Sequence, residues 1–438
     1  MNIRDRQILR LAIPSIVSNI TVPLLGLVDV AIMGHMGSAA YIGAISVGAM
    51  IFNILYWIFG FLRMGTSGMT SQALGRRDLT EVTLLLKRSV MVGWVVAAAI
   101  IILQIPIRQL AFAIIAPEDR IKELVTIYFG ICVWGAPAML TLYGLTGWFI
   151  GMQNTRLPMV ISITQNVVNI AASIFFVFGL GMKVRGVAWG TVVAQYAGLA
   201  LAVTLLVIHY SKLRKHAKNG RVMDFGKMLD FFKVNSDIFL RTLCLVAVNL
   251  YFLAAGARQG TVILAVNTLL TQLYILFSYF LDGFAFAGEA LCGKYYGADN
   301  KEAFRMTVRR VFMWGISVAV LFTVVYAAGG QQFLGLLTDE KEVVRAAEPY
   351  FPWAMAVPLA GVAAFVWDGV FIGITATKGM LLSSVLATLV FFIIYMCSAA
   401  VWGNHALWLA FVIYLAVRGV VQTALYFGKL RTSEITTK

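Results

Sequence analysis

Charge is scarce in this chain. Of 438 residues only 13% are Asp, Glu, Lys or Arg, while 60% are apolar; a soluble domain carries about 25% charged and roughly 45–50% apolar residues. A folded chain of this length keeps a large solvated surface, so the deficit excludes a soluble enzyme, and the apolar excess excludes a disordered chain. Cysteine and histidine are also few, four of each. Cys132, Cys244, Cys292 and Cys397 lie in or at the ends of apolar runs with neither metal nor disulfide spacing, so they read as small packing residues. A phosphate-loop motif is missing, which leaves nucleotide-driven pumping unsupported. So is any Asp-rich metal or diphosphate motif, and no metal or cofactor is expected. The run GTSG at 65–68 resembles the serine motif of an intramembrane protease. A serine nucleophile needs a base within hydrogen-bond reach, and His35, His209, His216 and His405 fall in loops or at span ends. Ser67 therefore reads as a small helix-packing residue, and no enzyme is expected.

Long apolar runs fill the chain instead, and the mean hydropathy is +0.85. A span needs about 20 mainly apolar residues, and twelve runs qualify: 8–33, 42–72, 85–107, 122–148, 158–181, 186–209, 235–255, 262–291, 306–328, 345–370, 380–402 and 406–427. The second and eighth exceed a bilayer and should tilt or project. The N-terminus, MNIRDRQILRLAIPS, has no small-residue cleavage pattern and reads as the first membrane helix, not a removed signal. The net charge of +15 sits in short clusters between the runs. That is a membrane topology and not a nucleic-acid stripe. The run limits are soft, and basic residues at their ends are counted in the adjoining loops. On that count the N-terminus, even-numbered loops and C-terminal tail hold 24 Lys and Arg and the odd-numbered loops 8, leaving Arg63, Arg241 and Arg418 in the interiors of the spans. Both termini are therefore expected in the cytoplasm.

The longest polar interval, 210–233, separates six spans from six. The reading divides the chain into an N-lobe (1–209), a cytoplasmic linker (210–233) and a C-lobe (234–438). Sliding the chain against itself by 222 residues sets Gly34, Gly75, Gly93, Gly147, Gly151 and Gly181 on Gly256, Gly297, Gly315, Gly369, Gly373 and Gly403. Random placement gives about 1.7 such matches. Lys87-Arg88 also falls on Arg309-Arg310, and Thr155-Arg156 on Thr377-Lys378. A duplication with six spans per copy keeps both copies in one orientation. The expected fold is an all-α polytopic membrane protein of twelve transmembrane helices, in two six-helix lobes related by pseudo-twofold symmetry along the membrane normal. The substrate site is expected between the lobes near the midplane, as in alternating-access carriers.

An ionisable residue inside hydrocarbon costs at least about 2.5 kcal/mol on insertion scales. Asp29 stands in span 1 within VPLLGLVDVAIMG, with no Lys or Arg within a helical turn. One reading makes it a proton-exchanging carboxylate; the other makes it a capping or loop-binding group at the outer interface. Its repeat mates are Tyr251 or Phe252, so a titratable group belongs to one lobe only. Arg63, Arg241, Asp282, Glu289 and Asp368 form a second set of intramembrane charges, of which Glu289 reaches the interface and is given no chemistry. Arg241 and Asp282 stand at depths that differ by only ~5 Å at 1.5 Å per residue. They are a candidate ion pair closing the cytoplasmic side, or glue between neighbouring helices. Pro14 and Pro23 both interrupt span 1, and each invites a bend.

The runs SNITVPLLGLVDVAIMGHMG, FLRMGTSGMTSQALG, LDGFAFAGEALCGKYYGA, WDGVFIGIT and GNHALWLAF resemble the multidrug and toxic compound extrusion (MATE) family, and within it the DNA-damage-inducible DinF subfamily. The resemblance covers nearly the whole chain. It implies a twelve-helix antiporter of a bacterial inner membrane, exporting organic compounds against a proton or sodium gradient. Asp29 matches the essential carboxylate of helix 1, and Pro14 a proline at which that helix bends, so Pro14 and Pro23 become hinge candidates. Asn169 matches an asparagine four positions before a second aspartate, but here that position is Ser173, a departure. Thr191 matches a threonine near the same cation pocket. The reading taken forward is a proton-coupled exporter of amphipathic organic molecules, acting as a monomer in the lipid bilayer, with Asp29 as carrier. A sodium-coupled exporter and a flippase for lipid-linked precursors are the alternatives. A flippase would need a strongly basic cavity, and the interiors of the spans offer only Arg63, Arg241 and Arg418.

Overall fold

Backbone N–H and C=O groups find no water in hydrocarbon, so long apolar runs of the kind in this chain must satisfy them internally as helices or closed barrels. A computed structural model of the chain describes residues 3–34, 39–218, 222–338 and 340–430. Among these residues there is no strand. Sixteen α-helices follow in order: α1 (Ile3–Gly34), α2 (Ala39–Ile58), α3 (Phe61–Gly75), α4 (Leu79–Ile102), α5 (Gln104–Ile115), α6 (Asp119–Cys132), α7 (Ala136–Gly151), α8 (Arg156–Ile174), α9 (Val184–Tyr210), α10 (Phe225–Arg258), α11 (Thr261–Gly297), α12 (Lys301–Leu337), α13 (Lys341–Ala347), α14 (Phe351–Gly373), α15 (Thr377–Trp402) and α16 (Asn404–Leu425). Eleven candidate membrane spans lie among the described residues, and α1, with 32 residues, adds a twelfth helix of sufficient length.

Several expected runs divide, for local reasons. The second run breaks at Phe59-Gly60 into α2 and α3. The third stops at Ile102, and a separate α5 begins two residues before Pro106, whose missing N–H is tolerated only in a first turn. The fourth and tenth runs each contain a 3-10 turn, after which Pro137 and Pro352 start α7 and α14.

The chain forms two compact units, residues 17–232 and residues 1–16 with 233–438. The division falls inside α1, between Ile16 and Val17. In the first unit α3, α4 and α7 pack on one another, and α8 pairs with α9. Trp148, Phe129 and Phe149 are buried in its core. In the second, α11, α12 and α14 pack together, α15 pairs with α16, and the core closes around Phe391, Trp408 and Tyr414.

The 222-residue offset reappears as repeated contacts. A Cβ added at Gly147 would lie 2.2 Å from the Arg63 carbonyl oxygen, and one at Gly369 would lie 2.2 Å from that of Ala285. A Cβ at Gly151 would lie 2.7 Å from the Ser67 carbonyl oxygen, and one at Gly373 2.6 Å from that of Glu289. Every partner in the second unit is 222 residues beyond its counterpart. The helix ends repeat as well. Asp78 caps α4 by accepting from the Glu81 amide, and Asn300 caps α12 by accepting from that of Ala303, both at 2.9 Å. Non-glycine residues with positive φ recur in the same register, Arg77 with Asp299 and Gln153 with Thr375.

Candidate functional site

Asn169 and Ser173 lie one turn apart on α8 and are buried. Thr191 faces them from α9. The Asn169 amide donates to Thr191 Oγ1 at 3.3 Å, and the Thr191 hydroxyl donates to the Val187 carbonyl at 3.1 Å. Asn169 Oδ1 and Ser173 Oγ have no partner among the described residues. Buried polar atoms are rarely left so. Gly190 lets the helices close here, since a Cβ on it would fall 2.3 Å from Ser173 Oγ. The structure thus brings three of the four expected coupling residues together. Ser162 and Asn166 extend the same face of α8 downward, at i−7 and i−3 from Asn169. Asn166 donates to the Thr21 carbonyl of α1 at 3.2 Å, and the Thr21 and Ser162 hydroxyls are 3.4 Å apart. Asn166 and Ser162 carry no signal in a single sequence beyond their polarity in an apolar span.

Asp29 and Pro23 lie in α1, and their side chains are outside the described set. Val28 and Ile32 on the same helix pack into the core of the 17–232 unit. Pro14 is buried within α1. The unit boundary falls between the two prolines, so the two halves of one helix belong to different bodies. The first half is fastened within its own unit. Asp5 accepts from Trp314 Nε1 at 3.2 Å and from Arg310 Nη1 at 3.4 Å. Tyr295 donates to Gln7 at 3.1 Å, and the Arg4 guanidinium stacks 4.2 Å from the Tyr295 ring centre.

The repeat supplies an internal reference for position 29. Tyr251, Phe391 and Tyr395 are the 222-residue mates of Asp29, Asn169 and Ser173. They meet in their unit: the Tyr251 ring centre is 6.2 Å from that of Phe391 and 5.6 Å from that of Tyr395. Positions that are polar in one copy are filled by packed rings in the other.

The second set of charges separates. Arg63 is on α3 of the 17–232 unit. In the other unit Arg241 (α10) is hydrogen-bonded to Asp368 (α14), a partner the depth argument did not name. Counting residues gives height along a helix but not which neighbour its face meets. Arg418 of α16 donates to the same carboxylate at 2.5 Å, and Gln422 donates to its other oxygen at 2.8 Å. All four side chains are buried. Asp282 is half-buried on α11. The sequence showed Arg418 as an intramembrane charge but gave it no partner, and Gln422 gave no signal. A second buried network was also unsignalled: Asn267 and Asn404 exchange amide hydrogen bonds at 2.8 and 2.9 Å, and Trp408 donates to Asn267 at 2.9 Å. Such bonds hold membrane helices together. Ser67 is buried, its carbonyl against Gly151, as a packing residue would be.

Comparison with known proteins places this geometry. A MatE family model matches residues 14–175 and 238–396. The chain is 36% identical over 425 residues to the DNA damage-inducible protein F of Escherichia coli (strain K12), covering 96% of this chain and 92% of that one. It is 20% identical over 391 residues to the multidrug export protein MepA of Staphylococcus aureus (strain NCTC 8325 / PS 47), covering 87% and 84%. Among solved structures, a mutant of the Vibrio cholerae MATE transporter VcmN superposes with a TM-score of 0.86 at 17% identity, over 99% of this chain and 98% of that one.

Proposed function

The chain belongs to the MatE family, and on that premise we propose that it is a secondary active antiporter. It exports amphipathic organic compounds in exchange for inward protons by alternating access, with Asp29 as the proton carrier. Both termini face the cytoplasm of a bacterial cell, and the moving bodies are the two units, 17–232 and 1–16 with 233–438, which part within α1 and within α10.

The carrying observation is the α8–α9 face. It offers one acceptor, Asn169 Oδ1, and one hydroxyl, Ser173 Oγ, that have no partner among the described residues. A carboxyl group beside them is served in both protonation states. When ionised it accepts from the Ser173 hydroxyl, and when protonated it donates to Asn169 Oδ1. Helix rise supports Asp29 as that group. From the Thr21–Asn166 contact, position 29 is eight residues along α1 and Ser173 seven along α8, about 12 and 10.5 Å at 1.5 Å per residue. Spans 1 and 5, both odd-numbered crossings, run in the same sense. The meeting of Tyr251 with Phe391 and Tyr395 in the duplicate unit supports the same grouping.

Sodium fits this pocket less well. A hard cation is held by several oxygens at once and gains from formal negative charge, whereas Asn169, Ser173 and Thr191 are neutral. Proton uptake on Asp29 removes the penalty of a charge in hydrocarbon. Helix 1 then repacks about the Pro14–Pro23 stretch and substrate leaves. The test uses proteoliposomes in which a pH gradient and a sodium gradient are imposed separately. A pH gradient alone is expected to drive export, and Asp29→Asn, fixed in the neutral form, should fold without turnover. Export driven by sodium at constant pH, or a fully active Asp29→Asn, overturns the assignment.

A further inference from the structure

The described parts of the 210–233 linker pack on the protein. Residues 210–233 carry seven Lys or Arg against two Asp. The stretch Ser211–Lys218 is helical and packs on α4, with Leu213 against the core and Lys212 and Lys215 exposed. Beyond it, buried Arg88 donates from Nε to the Val222 carbonyl at 3.0 Å and from Nη1 to Glu81 at 2.8 Å. Lys227 Nζ stands 4.0 Å from the other oxygen of Glu81. Asp224 Oδ1 accepts from the Lys227 amide at 3.1 Å, at the start of α10.

From there α10 shows three faces. Phe231 is fully buried and Met228 packs on the same core. Lys227, Asp230 and Lys233 are exposed on a second face. Phe225, Leu229 and Phe232, spaced i, i+4 and i+7, form a third, and they remain 83%, 43% and 47% exposed. At about 100° per residue those three lie within ~60° of one another. Just before the helix, Met223 is exposed as well. Neither apolar face can be the water side of a soluble helix, since one is in the core and the other stays partly uncovered among the described residues.

We infer that this element lies in the headgroup layer of the cytoplasmic leaflet and binds anionic phospholipid. Phe225, Leu229 and Phe232 enter the acyl boundary, and Lys212 and Lys215 meet the phosphates. Two observations select lipid as the occupant. The helix runs without interruption into a span: α10 has 34 residues, about 51 Å, against roughly 30 Å of hydrocarbon, which leaves its first turns at headgroup level. The flanking charge has the sign that anionic headgroups require, and basic clusters beside a membrane helix are the pattern for such lipids. The inference rests on the cytoplasmic placement of the linker proposed above.

The test uses the full chain with its four cysteines replaced by alanine and Met223→Cys labelled with bimane. It is reconstituted in phosphatidylcholine vesicles with and without phosphatidylglycerol. Phosphatidylglycerol is expected to shift the emission to the blue and make it quenchable by lipids spin-labelled near the headgroup. High salt should reverse both effects, and Lys212→Gln with Lys215→Gln should abolish the salt-sensitive part. Identical emission in the two vesicle types overturns the inference, as does a salt-sensitive shift that survives both substitutions. Sidedness is read separately with an impermeant thiol reagent on unlabelled Met223→Cys in intact cells. Reaction from outside would sink the topology, whereas protected Met223→Cys with lipid-insensitive fluorescence sinks only the lipid site.

Discussion

At position 173 a hydroxyl stands where the resembling pattern carries a carboxylate, and packing accounts for the small residue. Gly190 admits α8 so closely that Ser173 Oγ fills the space a Cβ would take. Ser173 makes no hydrogen bond among the described residues, so the proton-coupled reading assigns it a supporting role. Ser173→Ala should keep its melting temperature but lose roughly tenfold in proton-driven export, because it removes the hydroxyl proposed to donate to ionised Asp29, and a hydrogen bond to a charged group is worth about 1.5–3 kcal/mol. Export that rises with sodium concentration at constant pH, and loses that dependence in Ser173→Ala, would instead mark Ser173 as an ion ligand and favour sodium. Asn169, Ser173 and Thr191 were legible in the sequence because polar residues in an apolar span are few and the family pattern aligns them. The Arg241–Asp368–Arg418–Gln422 cluster was legible only as isolated charges. Which of them meet depends on how α10, α14 and α16 are rotated against one another, and that is fixed by packing over whole helices.

The helices themselves were nearly all written in the hydropathy, and their errors fall at prolines and glycines. The runs at 42–72 and 85–107 hid breaks at Gly60 and before Pro106, because a hydropathy window records apolarity and not backbone continuity. The repeat was visible as glycine matches, and for two of them, Gly147 with Gly369 and Gly151 with Gly373, the structure gives the reason: close approaches of one helix to the backbone of another. Gly181 and Gly403 instead share a positive φ. Gly147→Ala and Gly369→Ala should therefore behave alike. Each drives a methyl to 2.2 Å from a carbonyl oxygen, and overpacking of this kind costs about 1–3 kcal/mol or more. Gly93→Ala, whose Cβ would sit 3.1 Å from the Leu140 carbonyl, should be milder. Melting temperatures of the three purified variants in one detergent check the order. A normal Gly369→Ala beside a collapsed Gly147→Ala would show that the shared register does not carry shared energetics.

For the molecule as a whole, orientation depends on a physical term that leaves no mark in the packing. Lys and Arg are retained on the cytoplasmic side during insertion, whereas Asp and Glu contribute little. The bias in this chain is strong: 24 basic residues in the termini and even-numbered loops against 8 in the odd-numbered loops. The largest contribution comes from the 210–233 linker, with seven. The acidic stretch TDEKEVVRAAE at 338–348 belongs to the opposite set. In a cysteine-free background, Ser211→Cys and Ser433→Cys should resist an impermeant thiol reagent in intact cells and react once the membrane is opened. Thr338→Cys should react in intact cells. Because Ser211 is exposed, protection there reports the membrane barrier and not burial in protein. The reverse pattern would invert the topology, and with it the side from which Asp29 is proposed to take up a proton. Export into the medium would then have to become import, which the direction of substrate flux in the same cells would reveal independently.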